Sequence, residues 1–291
     1  MKLRKFACSF ALLFSLTFTV RLAAQLLSEW TAPFPPFRIA GNLYYVGSAD
    51  LASYLIATPN GLILINSNLE SSPPLIDRSV EQLGFRFSDI KILLISHAHF
   101  DHCAGSAEIV KQTGAKYEVM DADVPVVESG GESDFAYGAV KTLQFPSARV
   151  DRVLHDGDTV QLGGTVLTAH LTAGHTRGTT TWTMDETEGG RLLHVVIVGS
   201  PNVNPGYKLV GNTVYPQIAA EYAHQFSVLK ALPCDIFLGA HGGYFGLAEK
   251  YARWKADDQK AFIDPVGYKA YVAEREQAFE AELQRQSASR K

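Results

Sequence analysis

Cysteine is scarce in this sequence, with three among 291 residues. One of them, Cys8, lies in an apolar N-terminal stretch, so only Cys103 and Cys234 remain for the rest of the chain. Exported domains that cannot build a large core usually depend on several disulfide bonds. Two cysteines do not supply such a framework, and the sequence therefore predicts a fold that is held by its hydrophobic core.

Clusters of basic residues are also missing. Four of the 26 basic residues and none of the 30 acidic ones fall in the first 24 positions, which leaves a net charge of 22 − 30 = −8 beyond them. Proteins that bind nucleic acid usually carry a basic patch. The composition therefore argues against nucleic acid as a partner.

Apolar runs of membrane-spanning length are missing after the N-terminus. At the N-terminus itself, a basic start precedes an apolar run over residues 6–20, and Ala23 and Ala24 supply small residues for cleavage. This order is typical of a secretory signal peptide, and the run is shorter than the roughly 20 residues of a membrane-spanning helix. We therefore predict a signal peptide over residues 1–24.

The rest of the chain, residues 25–291, is long enough for one large domain or two fused halves with a substantial core. After cleavage we expect this part in the periplasm, as a monomer without stable membrane association. An uncleaved N-terminal anchor stays open as an alternative, because Arg21 and Leu22 depart from an ideal cleavage site.

Alternating apolar segments and turn signals predict a mixed β-sheet that is covered by helices. The Asn60-Gly61 pair indicates a hairpin within residues 43–68. The polar tail after Gln284 is expected to fray. Further strands are predicted over 90–95, 115–120, 192–198 and 235–239, with several more between 150 and 183, and helices over 73–83, 107–112 and 219–232.

Metal-capable side chains follow the predicted strands. In the segment "LLISHAHFDHCAG", His97 and His99 share a face of extended backbone, and Asp101 and His102 follow after a bend. Three later strands lead to His175, Ser200 and His241. In sheets of this type, ligand sites collect beyond the carboxyl ends of strands. The six histidine and aspartate ligands are too many for one tetrahedral catalytic zinc, so two adjacent metal ions fit the set.

Four other histidines are interpreted as structural or surface residues: His155, His170, His194 and His224. Two of them, His170 and His194, lie inside strand patterns, so we expect each to be buried with a hydrogen-bond partner. His224 is expected on the face of a helix.

The "HAHFDH" segment at 97–102 resembles the H-x-H-x-D-H signature of the metallo-β-lactamase fold superfamily. That superfamily includes lactamases, lactonases, the thioester hydrolase glyoxalase II and nucleases. Three longer segments, at 167–184, 204–216 and 232–247, resemble subclass B3 of the metallo-β-lactamases. The resemblance implies an α/β (α+β) fold, the αββα sandwich, in which two mixed β-sheets are flanked by helices.

The resemblance also implies ligands and a reaction. It gives a first zinc ion to His97, His99 and His175 and a second to Asp101, His102 and His241, hence two Zn²⁺ per chain. The implied activity is hydrolysis of the β-lactam amide of penicillins, cephalosporins and carbapenems by a metal-activated hydroxide, without a covalent acyl-enzyme. Such an activity confers antibiotic resistance. Asp101 is expected to orient the nucleophile or to pass on its proton.

The sequence does not decide which residues contact the substrate. Ser200 stands where relatives have a metal ligand, and it either holds a catalytic water or is only a turn residue. The resemblance places the following loop at the substrate carboxylate, where Asn202 is a contact or a turn residue and Tyr207 is a candidate contact to the carbonyl. The aromatic segments 29–37 and 128–138 are either mobile walls of the site or lids that pack on the core.

Two other functions are considered. A lactonase or thioester hydrolase of the same fold would carry a metal-bridging acid where this chain has Ser200. An exported zinc-binding protein without catalysis would bind the metal but open no ring.

The two remaining cysteines are expected to stay unpaired. Cys103 lies at the metal edge, whereas a strand of roughly 20 Å separates Cys234 from that edge. A disulfide bond needs Cα atoms within about 7 Å.

Overall fold

The computed structural model describes residues 28–289, which form two β-sheets with helices against them. The signal peptide predicted for residues 1–24 lies outside the described residues. The first sheet has seven strands in chain order, β1 (Phe37–Ala40), β2 (Leu43–Tyr45), β3 (Tyr54–Thr58), β4 (Gly61–Ile65), β5 (Ile90–Leu94), β6 (Lys116–Met120) and β7 (Arg152–Leu154). The second sheet has five strands, β8 (Thr159–Leu162), β9 (Thr165–Leu171), β10 (Thr180–Glu188), β11 (Arg191–Val198) and β12 (Ile236–Gly239), in the order β12-β11-β10-β9-β8.

Both sheets are mixed, as predicted. Strands β1 to β4 are antiparallel and β4 to β7 are parallel. In the second sheet, β8 to β11 are antiparallel and β12 joins β11 in parallel. The predicted hairpin is confirmed, because Thr58 pairs with Gly61 across a loop formed by Pro59 and Asn60. Gly61 has a φ of 125°, which glycine adopts without strain.

The helices are α1 (Pro73–Gln82), α2 (Phe100–Cys103), α3 (Ser106–Thr113), α4 (Val124–Glu128), α5 (Ile218–Ala231), α6 (Gly242–Phe245), α7 (Leu247–Lys255) and α8 (Pro265–Ala288). Prolines occupy the first turns of α1 and α8, where no intrahelical N–H bond is lost. Asp264 caps α8 by accepting a hydrogen bond from the amide of Gly267 at 2.8 Å. Within residues 28–289, no helix has both the length and the apolar character that a membrane crossing requires.

Two hydrophobic cores fill the spaces between the layers. Ile63 on β4 and Trp182 on β10 belong to the core between the two sheets. Leu64, the neighbour of Ile63, points to the opposite face and packs with Val80 of α1 and Ile109 of α3. Successive residues of a strand face opposite sides of the sheet, so a strand covered on both faces is apolar throughout.

Helices α5 and α8 pack on each other beside the second sheet. Tyr222 of α5 stacks on Phe279 of α8 with ring centroids 5.4 Å apart. Tyr268 of α8 meets Phe237 of β12 edge-on at 5.5 Å. The layers therefore form the αββα sandwich that the resemblance implies.

The predicted strands and helices are found within one or two residues of their expected ends. The predicted fraying of the tail is wrong for residues 285–288, and residues 290–291 lie outside the described residues. Helix α8 continues through Gln286 to Ala288. Gln286 accepts a hydrogen bond from the amide of Leu209 at 2.7 Å and donates one to the carbonyl of Tyr207 at 2.7 Å. These contacts keep the polar end of α8 helical, and its residues are also compatible with a helix.

The histidines outside the ligand set follow the predictions in part. His170 and His194 each have a partner, a threonine hydroxyl at 2.8 Å and Asp185 at 2.7 Å. The predicted burial is wrong, because His170 is only partly buried and the His194 side chain is 41% exposed. His155 and His224 are exposed.

Both remaining cysteines are free, as predicted. Cys103 is buried and Cys234 is partly buried.

Candidate metal centre

The two sheets are joined by hydrogen bonds where their polar loops meet. The amide of Thr180 in β10 donates to the carbonyl of Ser96 after β5 at 2.7 Å. The amide of Ala52 before β3 donates to the carbonyl of Ala240 after β12 at 3.0 Å. These bonds fix the loops that carry the predicted ligands, so residues remote in sequence converge on one edge of the sandwich.

The first cluster contains His97, His99 and His175. Their donor atoms lie within 4.8 Å of one another. All three side chains are buried, with 2%, 6% and 5% exposure. Burial lowers the pKa of each imidazole, and for His99 the value is about 4. The rings are therefore neutral, and each offers a lone pair to a cation.

Hydrogen bonds determine which imidazole nitrogen of each histidine faces the first cluster. Nδ1 of His175 donates to the carbonyl of Asn202 at 2.8 Å, which leaves Nε2 as the acceptor. Nε2 of His99 lies 3.4 Å from the hydroxyl of Tyr207 and 3.7 Å from a carboxylate oxygen of Asp134, which leaves Nδ1 available. Partners of this kind orient metal-binding imidazoles in known sites.

The second cluster contains Asp101, His102 and His241. Nε2 of His102 lies 3.1 Å from Nε2 of His241 and 3.3 Å from Oδ2 of Asp101. Nε2 of His241 lies 3.5 Å from the same oxygen. A tetrahedral zinc site with normal bond lengths has ligand atoms about 3.3–3.6 Å apart. The three atoms are therefore spaced like one face of such a site.

The charges and hydrogen-bond partners of the ligand side chains also suit the binding of a cation. Although burial opposes ionisation, His102 and His241 hold the pKa of Asp101 well below its usual range. Nδ1 of His97 is buried without a hydrogen-bond partner among the described residues. His97 also lies within 4.8 Å of the donor atoms of Asp101 and His102, so the two clusters adjoin.

Three further carboxylates support the clusters, and no spacing in the sequence singles them out. Asp50 accepts a hydrogen bond from Nδ1 of His241 at 2.8 Å. Asp123 accepts from the amide of Ala98 and the hydroxyl of Thr176, both at 2.8 Å, and so connects the two loops of the first cluster. Burial raises the pKa of Asp123 to about 6. Asp134 lies beside the first cluster, 3.7 Å from Nε2 of His99.

A cleft of about 440 Å³ opens above both clusters. The residues that line it include the predicted ligands His99, Asp101, His175 and His241, together with Trp30, Asp50, Phe100, Tyr137, Leu143, Asn202, Asn204, Gly243 and Tyr244. His97 and His102 lie deeper in the protein, at 2% and 0% exposure. The edge of the sandwich therefore offers a substrate-sized space directly against the metal-capable atoms.

The predicted substrate contacts lie in different environments. Asn202 lines the cleft. Ser200 is 0% exposed, and its hydroxyl lies 3.2 Å from that of Tyr244. Tyr207 is 4% exposed and donates to the carbonyl of His175 at 2.9 Å. Of the three candidates, the structure brings only Asn202 to the cleft surface, and Ser200 and Tyr207 lie behind it.

The two aromatic segments contribute to both the cleft and the core. Trp30 from segment 29–37 and Tyr137 from segment 128–138 line the cleft. Phe34 packs on Tyr251 and Phe135 packs on Tyr215, with ring centroids 4.8 Å apart in both pairs. Each segment thus supplies one aromatic wall and anchors itself with others.

Two adjoining clusters of imidazole and carboxylate donors, at the floor of a cleft where two mixed sheets meet, define a metal-dependent hydrolase. The sequence profile of the metallo-beta-lactamase superfamily matches residues 52–241, and the chain belongs to this superfamily.

Solved structures place the chain among the subclass B3 enzymes of that superfamily. It is 58% identical to the native FEZ-1 metallo-beta-lactamase from Legionella gormanii, with a TM-score of 0.88, and the match covers 88% of this chain and 98% of that one. BJP-1, a subclass B3 metallo-beta-lactamase of Bradyrhizobium japonicum, is 37% identical with a TM-score of 0.85, over 91% of this chain and 99% of the other. A curated relative, a UPF0173 metal-dependent hydrolase of Anaeromyxobacter dehalogenans, is 28% identical over 75% of this chain and 68% of its own length. The resemblance stated from the sequence is confirmed.

Proposed function

We propose that this protein is a zinc-dependent β-lactamase that opens the ring of penicillins, cephalosporins and carbapenems and so confers antibiotic resistance. The observation that carries the proposal is the pair of adjoining donor clusters at the cleft floor, in a chain that is 58% identical to FEZ-1. Imidazole nitrogens and carboxylate oxygens in near-tetrahedral spacing suit zinc.

Two zinc ions fit the donors. The first would be held by His97, His99 and His175 and the second by Asp101, His102 and His241. When bound, the ions would lower the pKa of a water molecule to about 7 and polarise the lactam carbonyl. The protein supplies oriented imidazoles, of which those of the first cluster are neutral, together with one ionised carboxylate and a cleft that places the substrate.

Asp101 is the proposed proton carrier. Hydrolysis joins the oxygen of water to the carbonyl carbon and breaks the carbon–nitrogen bond, and the ring nitrogen takes up a proton. Oδ2 of Asp101 faces His102 and His241, which leaves Oδ1 to accept the proton from water and to deliver it to the nitrogen. The ring-opened β-amino acid results, with atoms balanced by one water.

Ser200 takes no part as a nucleophile in this scheme. Its hydroxyl is completely buried and lies beside the hydroxyl of Tyr244 rather than in the cleft. A role in holding a water molecule remains part of the proposal. Its neutral side chain at the end of β11 also favours a lactamase over a lactonase or thioester hydrolase, which would be expected to place a metal-bridging acid there.

We also propose that the chain is exported to the periplasm and acts there as a monomer after its first 24 residues are removed. The basic start, the apolar run and Ala23-Ala24 support cleavage before Gln25. The intact mass of the protein recovered from the periplasm of an expressing bacterium tests this proposal, because an uncleaved anchor would retain those residues.

Purified mature protein provides the test of function. We expect two zinc ions per chain by elemental analysis, and hydrolysis of nitrocefin, a penicillin and a carbapenem that a chelator abolishes and added zinc restores. The matched variants are His175→Ala in the first cluster and His224→Ala on the exposed face of α5. The first should lose activity and the second should keep it. Zinc-loaded protein that opens no lactam, but opens a lactone or thioester, would contradict the proposal.

A further inference from the structure

Apart from the metal ions of the proposed function, an anionic substrate would meet no cationic side chain among the described residues of the cleft. None of the described residues that line it is a lysine or an arginine. Penicillins, cephalosporins and carbapenems carry a carboxylate on the carbon that is bonded to the lactam nitrogen. A carboxylate that leaves water needs strong hydrogen-bond donors in exchange. On the protein itself, a donor for this group would therefore come from the polar side chains of the wall.

Tyr244 is placed for this contact. It lies on the short helix α6, three residues after His241, and it lines the cleft. Its ring centroid is 5.0 Å from that of His241, so it borders the second cluster. The ring is stacked on Tyr271 at 5.3 Å and 28°, which restricts its movement.

Arg275 fixes the direction of the hydrogen bonds that reach Tyr244. A guanidinium can only donate, and Nη1 of Arg275 lies 3.3 Å from Oδ1 of Asn202. The amide oxygen of Asn202 therefore faces Arg275, and its Nδ2 donates to the hydroxyl oxygen of Tyr244 at 2.8 Å. Because that oxygen accepts, the phenolic proton remains free to be donated elsewhere.

Two acceptors compete for this proton. One is the hydroxyl of Ser200 at 3.2 Å, a neutral group that can act as donor or acceptor itself. The other is a substrate carboxylate in the cleft, which is charged and therefore the stronger acceptor.

We propose that Tyr244 binds the carboxylate of the β-lactam through its hydroxyl, with Asn202 and Arg275 as positioning residues that aim the proton. The inference rests on the proposed function and goes beyond it by assigning the anion contact to a side chain of α6. Asn202, which the sequence leaves open as a substrate contact or a turn residue, acts here through Tyr244. Arg275 lies behind the loop and is also paired with Glu274, so its role here is to orient Asn202.

The test is steady-state kinetics of Tyr244→Phe on a β-lactam acid and on its methyl ester. For the acid, KM should rise about tenfold with kcat little changed, as expected for the loss of one hydrogen bond to a charged group. For the ester, wild type and variant should have the same KM. Zinc content and melting temperature establish that the variant is folded and loaded. Tyr251→Phe, on α7 away from the cleft, is the matched loss of a hydroxyl and should change neither constant.

Arg275→Met tests the positioning role. Alone it should raise KM for the acid and leave the ester unaffected, and combined with Tyr244→Phe it should add little, because both changes remove the same contact. Full additivity would show that Arg275 acts on its own.

Three results would overturn the inference. If the wild type is active and Tyr244→Phe leaves the KM for the acid unchanged, the inference is overturned and the proposed function stands. A fall in kcat at constant KM would place Tyr244 at the reacting bond instead of the carboxylate. A wild type that opens neither acid nor ester would overturn the proposed function, and this inference with it.

Discussion

Asp50 and His241 are 191 positions apart, yet Nδ1 of His241 donates to Oδ2 of Asp50 at 2.8 Å. The same carboxylate accepts from Nε1 of Trp30 at 3.1 Å and from the amide of Gly243 at 3.0 Å. With its Nδ1 committed, His241 directs Nε2 toward the second cluster. Asp50 thus connects the aromatic wall, the start of α6 and a candidate metal ligand.

Asp50→Asn should weaken metal binding at the second cluster. The variant keeps the shape of the side chain but loses the charge that orients His241, and loss of such a partner costs about 10–100-fold in metal affinity. Zinc titration against a chromophoric chelator should show one site weakened and one unchanged. Asp185→Asn is the matched control, since Asp185 also binds a histidine, His194, but at the surface. Equal affinities in all three proteins would remove Asp50 from this role.

His241→Ala should remove or weaken one of the two metal ions and reduce activity strongly. The first cluster does not include this residue, so its ion should be retained. Elemental analysis after dialysis and the rate of nitrocefin hydrolysis are the measurements. Two full equivalents of zinc together with an unchanged rate would show that His241 is not a ligand.

No acyl-enzyme should accumulate during turnover, and inhibitors that acylate serine β-lactamases should have no effect. Ser88 and Ser227 each precede a lysine at the Ser-x-x-Lys spacing of serine enzymes, but both are exposed and neither lines the cleft. Intact-protein mass spectrometry of samples quenched during turnover is the direct measurement. A covalent adduct of substrate mass would show that a side chain performs the attack.

Glu186→Gln should stabilise the protein more at pH 8 than at pH 5. Glu186 is 6% exposed, and one carboxylate oxygen lacks a hydrogen-bond partner among the described residues. Burial raises the pKa of this carboxyl to about 7 from 4.5 in the unfolded chain. The stability that the protonated form contributes is complete below pH 4.5 and is lost as pH rises through about 7, by up to about 3 kcal/mol.

Melting temperatures of wild type and variant across this pH range measure the effect. The gain from Glu186→Gln should appear between pH 5 and 8. Glu188→Gln is the control on the same strand, because Arg38 lowers the pKa of Glu188 and moves its titration out of this window. A constant difference between Glu186→Gln and wild type would mean that Glu186 is ionised throughout.

The metal-capable residues could be predicted from the sequence because each follows an apolar strand segment within a few residues. His97 to His102 lie in one short segment after an apolar strand, and His175 and His241 each follow a strand as well. Strand ends meet at one edge of the sandwich, so convergence follows from the secondary structure. The close contacts of the second cluster, at 3.1–3.5 Å, agree with that expectation.

The supporting residues could not be predicted in the same way. Asp50 and Asp123 are single aspartates in loops, where aspartate is common for turn geometry alone. Their roles arise from partners on other elements, as does the contact of Gln286 with Leu209 that orders the predicted tail. Tyr244 likewise acquires its neighbours from α8 and the loop after β11. Such pairings depend on tertiary packing, which no local pattern encodes.

Each donor cluster draws on both halves of the sandwich. His97, His99, Asp101 and His102 follow β5 of the first sheet, whereas His175 and His241 follow β9 and β12 of the second. An ion held by such a set is a cross-link between the halves, and a ligand at 100 times its dissociation constant adds about 2.7 kcal/mol to the free energy of unfolding. Where metal is withheld, the unloaded chain would open at this edge more often and be cleaved by proteases there. The supply of metal would then govern how long each molecule survives as well as how fast it works.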